Sequence, residues 1–253
     1  KDIQKVQTVS GDKPLSVIIE ADEEDKLADG IKKAGELEDL SADEIRNIIR
    51  EAGIAGMGGA MFPTHVKLSV PEDKEVEYFV LNGAECEPYL TVDHRMMVER
   101  AEDIVYGMKV MMKAVDVDNG FIGIEENKPN AIKAMKKAVE GEAGIEVKVF
   151  ETKYPQGGEK MMIKAALDRE VPAGGLPLDV GVVVNNVTTA VAVADAVKTG
   201  MPLIKRTVTV TGSAINNPQN FICRIGTRIE ELIDQAGGIK GKAGKIVVGG
   251  PMT

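Results

Sequence analysis

Glycine is concentrated in one short segment in the first quarter of the chain. Four residues of a seven-residue run are glycine: Gly53, Gly56, Gly58 and Gly59. Because glycine has no Cβ, backbone N–H groups in such a loop can approach a ligand closely, and successive N–H groups form a concave anion site. Phe62 adds a flat ring and Lys67 adds a positive charge. The segment therefore predicts a site for an aromatic cofactor that carries a phosphate.

An acidic motif, Asn82 to Pro88, follows a predicted strand over Val76 to Leu81. Ligands of open α/β sheets collect at the carboxyl ends of the strands. Its two carboxylates, Glu85 and Glu87, would repel a phosphate but could accept hydrogen bonds from ribose hydroxyls. The alternative interpretation, a solvated acidic loop, is equally compatible with this motif taken by itself.

Two further motifs also lie between a predicted strand and a predicted helix. The first contains Tyr154, Gly157, Gly158 and Glu159, and the second contains Asn185, Asn186 and Thr189. Backbone N–H groups at a helix start favour an anion or a polar cofactor edge. The alternatives are an ordinary turn for the first motif and helix capping by asparagine or threonine for the second. Together, the four motifs could share one rim of one sheet, and this convergence favours a binding site.

Other residue types that often carry chemistry are sparse in this chain. His65 and His94 have no thiol or carboxylate at metal-ligand spacing, so no metal site is expected in this sequence. The two cysteines, Cys86 and Cys223, cannot form a four-thiolate zinc or iron–sulfur site. Cys86 lies in the acidic motif, where it could approach a cofactor, but a buried filler is the preferred interpretation.

The elements that position these motifs alternate between strand and helix, which favours an α/β layer with a mostly parallel sheet. Ser41 and Glu44 form a capping box, and Gly53 ends the helix that follows. The glycine loop thus follows a helix, whereas a Rossmann fingerprint follows a strand with a different glycine spacing. The other predicted strands are Phe121–Ile124, Ile145–Phe150 and Val180–Val184. The other predicted helices are Ala101–Val115 with a methionine-rich core face, one beginning at Asn127–Pro129, Glu159–Leu167 and Thr188–Val197.

The two ends of the chain differ in pattern from this middle part. At the start, Val6–Val9 and Leu15–Ile19 are predicted strands, joined by a turn over Ser10 to Asp12. Near the end, Thr207–Thr211, Phe221–Ile225 and Ile246–Val248 are predicted strands and Ile229–Ala236 a predicted helix. We therefore predict the tail of a β domain over 1–21, a linker over 22–40, an α/β domain over 41–201 and a small β-rich domain over 202–253.

Composition narrows the class of protein. The chain has 253 residues and a net charge of −9. That charge argues against nucleic acid as a partner, because a phosphate backbone requires a basic protein face. No apolar run is long enough to span a bilayer, so any membrane association must come from partners. Both ends of the sequence look cut, and we interpret it as a fragment.

The four motifs, in this order, resemble the RnfC family, subunits of the Rnf electron-transport complex that couples ferredoxin and NAD redox chemistry to ion pumping. The resemblance lies in the glycine loop with Phe62 to Lys67, the acidic motif continuing through Asp93-His94-Arg95, the Tyr154 motif, and the asparagines before the last helix of the α/β domain. It covers the chain from about residue 40 to the end. The sequence is also similar, more distantly, to the flavin- and NADH-binding subunit of respiratory complex I.

The resemblance implies a Rossmann-like domain for FMN and NADH, followed by a small β-grasp (soluble-ligand-binding) domain, with the tail of a barrel-sandwich domain before them. Hydride would pass between nicotinamide C4 and flavin N5, so no side chain need act as an acid or base. Residues that the resemblance assigns to the flavin phosphate are Gly56, Gly58, Gly59 and Lys67. Those assigned to the rest of the flavin site are Asn82, Glu85, Tyr154, Gly157, Gly158, Asn185, Asn186 and Thr189. Phe62 would stack on a nucleotide base, and Glu87 and Glu159 would position NADH.

Three positions depart from the complex I pattern. That pattern has arginine in place of Met57, glycine in place of Met61 and aspartate in place of Ala84. These changes remove a charge near the phosphate, narrow the NADH entrance and remove one polar contact to flavin. The family's two four-cysteine clusters, which would hold 4Fe–4S centres, would lie beyond the β-grasp domain, after this sequence ends.

The implied role is an electron-input subunit, an NADH:FMN oxidoreductase component with other Rnf subunits as partners, peripheral on the cytoplasmic face of the membrane. One alternative is a cobalamin reductase of the same superfamily, which shares the glycine loop and the acidic motif. Another is a non-catalytic assembly module whose β-grasp part docks another subunit of the complex.

Overall fold

The computed structural model describes residues 2–7, 11–20, 24 and 26–252 of the chain. Its first two strands, β1 (Asp2–Lys5) and β2 (Leu15–Ile18), form an antiparallel pair. The predicted strand at Leu15–Ile19 is thus confirmed. The prediction at Val6–Val9 is wrong where it can be compared, because the strand lies earlier and residues 6 and 7 are outside it. Thr8, Val9 and the turn residue Ser10 lie outside the described residues.

A four-stranded parallel sheet forms the centre of the molecule. Its strands are β3 (Tyr78–Asn82), β4 (Gly120–Glu125), β5 (Ile145–Phe150) and β6 (Val182–Asn186), in the order β5-β4-β3-β6. The chain builds outward from β3 through β4 to β5 and then returns to place β6 on the other side of β3. This reversal places a topological switch point between β3 and β6, and open α/β sheets bind ligands at the carboxyl ends of the strands at such a point. Residues Asn82 and Asn186 are paired in register at that point.

Helices cover both faces of the sheet. They are α1 (Ala42–Glu51), α2 (Thr64–Lys67), α3 (Val92–Glu99), α4 (Ala101–Ala114), α5 (Pro129–Ala138), α6 (Glu159–Leu167) and α7 (Val187–Thr199). Because side chains alternate along a strand, β3 contributes Phe79 and Leu81 to one core and Val80 to the other. The methionine face of α4 is buried in the first core, which confirms the core role predicted for it.

Helices α4 and α7 approach each other at a single glycine. Gly107 lies on α4, and a Cβ built on it would lie 2.0 Å from the carbonyl oxygen of Ala190 on α7. No side chain fits between two backbones at that separation. The contact fixes α7, whose first turn adjoins the carboxyl end of β6.

The structure corrects several predicted elements. Strand β6 begins at Val182 rather than Val180, because Pro177–Val180 form a 3-10 turn that Gly181 closes with a left-handed φ of +71°. Helices α2 and α3 were not predicted. The predicted strand at Ile246–Val248 is wrong, since these residues adopt no strand and each remains more than half exposed.

The last part of the chain contains an antiparallel pair, β7 (Lys205–Val210) with β8 (Gln219–Arg224), and helix α8 (Ile229–Gln235). These three elements confirm the predictions made for their positions. The pair packs on the segment before α3, where Thr91 N donates a hydrogen bond of 3.2 Å to Thr209 Oγ1. The predicted division of the chain at residue 202 stays a prediction. Within the part of the chain that the structure describes, no helix is long and apolar enough to cross a membrane.

Candidate functional site

All four motifs meet at the carboxyl rim of the sheet. Asn82, the last residue of β3, donates from Nδ2 to the carbonyl of Gly157 at 2.6 Å and accepts from the amide of Ala84 at 3.1 Å. One side chain thus joins the acidic motif to the motif after β5. The convergence on one rim, predicted from element ends, is observed.

The glycine loop lies over the end of β6. The amide of Met57 donates to Thr189 Oγ1 at 2.9 Å, and a Cβ on Gly58 would lie 3.5 Å from the Asn186 side chain. Gly56 N closes the loop by donating to the carbonyl of Phe62 at 2.8 Å. The loop therefore presents backbone to the rim, with no side-chain bulk at Gly58.

Met61 adopts a conformation that favours glycine. Its φ is +52°, in the left-handed region, where an L side chain costs about 1–2 kcal/mol. The side chain is 63% exposed, so no burial offsets this strain. Met61 therefore has the backbone geometry of a glycine, the residue that the complex I pattern has at this position, but carries a large side chain.

Lys67 and Glu159 form an ion pair beside the edge strand β6. Lys67 Nζ lies 2.8 Å from Glu159 Oε1 and donates to the carbonyl of Val184 at 2.9 Å. Helices α2 and α6 supply the two residues from opposite sides of β6. Their separate roles, at the flavin phosphate and at NADH, stay predictions.

The two adjacent asparagines differ in their partners. Asn186 Oδ1 accepts from the amides of Thr188 and Thr189 and caps α7, while its Nδ2 donates to Asp93 at 2.7 Å. Capping, one of the two interpretations of this motif, is thus confirmed for Asn186. Asn185 is also buried, but its Nδ2 has no partner. The contact of either residue with a flavin stays a prediction.

Three buried side-chain atoms in the described residues lack a hydrogen-bond partner. They are Thr64 Oγ1, Gln156 Nε2 and Asn185 Nδ2. Buried polar atoms in folded proteins are nearly always satisfied. All three belong to the site motifs, so the residues present fit a polar group bound at this rim. Sequence reasoning missed Gln156, although its place between Pro155 and Gly157 could have indicated it.

Glu85 and Asp93 form a partly buried pair of carboxyl groups beside the rim. Glu85 accepts from the amides of Asp93 at 2.7 Å and His94 at 3.1 Å, and so caps α3. Asp93 in turn accepts from Thr188 Oγ1 at 2.5 Å. Burial, with the charge of Asp93 added, raises the pKa of Glu85 to about 7. Burial also raises the pKa of Asp93.

This shift predicts a pH-dependent stability. The folded pKa of about 7 exceeds the ordinary 4.5, so folding favours protonated Glu85, and stability falls as the pH rises from 4.5 to 7. The full shift corresponds to about 3 kcal/mol. Glu85→Gln mimics the protonated acid but loses one acceptor, worth about 1 kcal/mol. We therefore expect the variant to gain about 2 kcal/mol at pH 8 and to lose the part of the pH dependence that Glu85 contributes, while the part from Asp93 remains.

Urea unfolding of both proteins from pH 4 to pH 8 measures this effect. Glu72→Gln, at an exposed carboxylate in the turn that precedes β3, is the control for a simple change of net charge. A wild-type protein whose stability rises over that pH range would contradict the prediction.

A cavity of about 350 Å³ lies on the other side of the acidic motif. Glu85, Glu87 and Tyr154 line it, whereas Phe62 does not. Glu87 also accepts a hydrogen bond of 2.7 Å from the amide of Met252, and buried Gly250 packs against its carboxylate. The predicted NADH residues therefore lie on two sides of the rim, Phe62 on the glycine loop and Glu87 at this cavity.

Comparisons with known proteins agree with this architecture. Residues 49–195 match the family described as the Nuo51 FMN-binding domain, and residues 207–253 match the SLBB domain. A crystal structure of an NAD+-reducing [NiFe]-hydrogenase in the H2-reduced state superposes with a TM-score of 0.67 at 22% identity. That match covers 80% of this chain and 41% of the hydrogenase chain, and it concerns the fold.

Two curated relatives are similar over nearly the whole chain. The C subunit of the Na(+)-translocating ferredoxin:NAD(+) oxidoreductase complex of Acetobacterium woodii is 53% identical over 243 residues, covering 96% of this chain and 55% of that protein. The C subunit of the proton-translocating ferredoxin:NAD(+) oxidoreductase complex of Clostridium ljungdahlii is 53% identical, with coverages of 94% and 52%. The chain thus spans about half the length of the curated relatives it matches.

Proposed function

The chain belongs to the Nuo51 FMN-binding domain family, and on that premise we propose that it is the electron-input part of an RnfC-type subunit in an ion-translocating ferredoxin:NAD oxidoreductase complex. It would bind FMN and NADH and pass a hydride between them. The observation that carries the proposal is the set of unpartnered buried polar atoms, Thr64 Oγ1, Gln156 Nε2 and Asn185 Nδ2, in three motifs that meet at the carboxyl rim of the sheet. A bound flavin, with carbonyl and nitrogen edges and a phosphate, offers partners for such atoms.

Different residues of the rim would bind the phosphate and the ring system of the flavin. The glycine loop, with Gly56, Gly58 and Gly59, and Lys67 would hold the phosphate, because backbone amides and one cation complement its charge. Asn82 and Asn185, at the ends of β3 and β6, would line the ring system. Tyr154, Gly157 and Gly158 would close the site from the segment after β5.

When bound, FMN supplies the hydride chemistry, and the protein supplies position and electrostatics. Glu87 and Glu159 would orient NADH by accepting hydrogen bonds from its hydroxyl or amide groups. Phe62, 48% exposed on the glycine loop, would stack on a base. Met61, exposed beside it, narrows the same approach.

Partners and location follow from the same premise. The relatives are named as subunits of ion-translocating complexes, which supports other subunits of such a complex as partners of this chain. Those subunits would hold it at the cytoplasmic face of the membrane. Electrons would leave through redox centres that other parts of the complex supply. The FMN family match supports this proposal over a pure assembly module, and the names of the relatives support it over a cobalamin reductase.

A reconstitution experiment tests the proposal. The protein is incubated with FMN, freed of excess by gel filtration, and its visible absorbance is recorded before and after anaerobic addition of NADH. We expect retained flavin that bleaches with NADH. Riboflavin, which lacks the phosphate, is the matched ligand control and should be retained less. Loss of all FMN on the column, or a flavin spectrum that NADH leaves unchanged, would contradict the corresponding half of the proposal.

A further inference from the structure

A buried ion pair, Glu125 with Lys128, lies beside the acidic motif and lines the same cavity as Glu85 and Glu87. Glu125 ends strand β4, and Lys128 lies one turn later, just before helix α5. Both residues are buried, with 1% and 6% of their surface exposed, and Nζ lies 3.1 Å from Glu125 Oε2. Sequence reasoning passed over both of them.

Lys128 is anchored on one side and reaches the acidic motif on the other. Its Nζ donates to Asn127 Oδ1 at 3.0 Å, besides Glu125, and to the carbonyl oxygen of Ala84 at 2.6 Å. An ammonium group has three donors, so these three acceptors use it fully. The shortest of the three bonds is the one to Ala84, the residue directly before Glu85.

Glu125 connects the pair to the next loop along the rim. Its second oxygen, Oε1, accepts from the amide of Lys153 at 3.3 Å. Lys153 precedes Tyr154, which lines the cavity beside Glu87. The ion pair therefore bonds to the loops that follow β3 and β5 and lies itself at the end of β4.

The Ala84–Glu85 peptide is a place where the backbone needs such support. Glu85 has a left-handed φ of +47°, which persists in a non-glycine residue only when its surroundings enforce it. Its carboxylate then caps α3 through the amides of Asp93 and His94. A donor fixed at the Ala84 carbonyl holds one side of this peptide, and the cap of α3 holds the other.

A charged pair at this position is poorly explained by stability. Burying two charges costs solvation, and a well-packed apolar pair of similar volume is often as stable. We propose that Lys128, held by Glu125, is a positioning residue that fixes the Ala84–Glu85 peptide and thereby the acidic motif that faces NADH. The effect on NADH binding rests on the proposed function, whereas the effect of Lys128 on the Ala84–Glu85 peptide is a property of the cofactor-free protein.

The experiment removes both charges at once, because a single substitution would leave an unpaired buried charge. The double variant Glu125→Met/Lys128→Met keeps the side-chain volume but has no donor for Ala84. The matched control is Lys109→Met/Glu142→Met, which removes a 2.8 Å ion pair away from the rim. Hydrogen–deuterium exchange of peptides covering residues 83–94 is measured without cofactor. FMN affinity and the steady-state constants with NADH are measured after reconstitution.

We expect the double variant to unfold cooperatively like wild type but to exchange the amides of residues 83–94 about tenfold faster, the factor that loss of one charged hydrogen bond produces. The KM for NADH should rise by about the same factor while kcat changes less. The control should match wild type in both measurements. Wild-type exchange and KM in a folded double variant would overturn the inference. So would a double variant that fails to fold, because the pair would then be needed for the sheet itself.

The two proposals can fail separately. If wild type binds no FMN, the proposed function fails, and the exchange measurement still decides whether Lys128 holds the loop. If wild type binds FMN and reacts with NADH but the double variant equals it, only the role of Lys128 is wrong.

Discussion

Replacement of Lys67 by methionine is expected to weaken FMN binding by at least about tenfold, because a charge-assisted hydrogen bond contributes about 1.5–3 kcal/mol. In the structure Lys67, the last residue of helix α2, brings a positive charge to the end of β6, where it donates to the Val184 carbonyl. Methionine keeps most of the length of the side chain. Glu159, which loses its partner, is 41% exposed and can be hydrated. We therefore expect the fold to persist while the affinity for FMN falls.

Titration of flavin fluorescence measures the dissociation constant, and thermal unfolding reports on the fold. Lys160→Met is the control, since Lys160 is the neighbour of Glu159 on α6, is exposed and bonds only to the Pro172 carbonyl among the contacts described. It changes the net charge equally. Equal FMN affinity in the Lys67 variant and in this control would show that Lys67 does not hold the phosphate.

Replacement of Gly107 by alanine is expected to destabilise the protein by about 3 kcal/mol, the upper range for an overpacked core. The new methyl group would lie 2.0 Å from the Ala190 carbonyl oxygen, so α4 and α7 must separate. The Ala190 atoms that the methyl group would meet all belong to the backbone, and a methyl group has no rotamer that avoids them, so no side-chain rotation can relieve the overlap. Movement of α7 would also shift its first turn, which Asn186 caps at the rim of the site.

Urea unfolding measures the loss of stability, and Gly244→Ala is the control because nothing lies within 4 Å of a Cβ at that position. At Gly107, within helix α4, alanine has a helix propensity about 1 kcal/mol more favourable than glycine. Propensity by itself would therefore make the Gly107 variant more stable, which is the opposite of the expected result. A Gly107 variant as stable as wild type would show that the two helices can separate at little cost.

Hydrophobic pattern was sufficient to predict most of the sheet. The strand at Ile145–Phe150 and the helix at Glu159–Leu167 were predicted with the bounds that the structure shows. A fully buried strand such as β6 has a continuous run of valines, and this run can be recognised from the local sequence without knowledge of the neighbouring strands. The predicted order of strands and helices also predicted that the motifs lie at one rim, because the carboxyl ends of parallel strands share one edge of a sheet.

What sequence reasoning missed depends on contacts between distant residues. Helix α3 begins where Glu85 caps it from outside, and that cap lies eight residues before Asp93. The buried pair at Glu125 and Lys128 looks like surface charge in the sequence and is explained only by the Ala84 carbonyl. Likewise, the sequence around the two asparagines does not show that Asn186 caps helix α7 while the Nδ2 atom of Asn185 is left without a hydrogen-bond partner.

The contact between Glu87 and the segment at Gly250 to Met252 has a consequence for how such proteins can be recombined. The FMN-binding match ends at residue 195 and the SLBB match begins at residue 207. The residues between them, here called the seam, are where one would join the two parts of different proteins. Yet the carboxylate on one side of that seam is bonded by an amide on the other, and a Cβ at Gly250 would lie 2.1 Å from Glu87 Cδ. A chimaera assembled at the seam would therefore keep this hydrogen bond only if Glu87 and the segment at Gly250 to Met252 come from compatible parents, and any side chain at position 250 would require the Glu87 carboxylate to move.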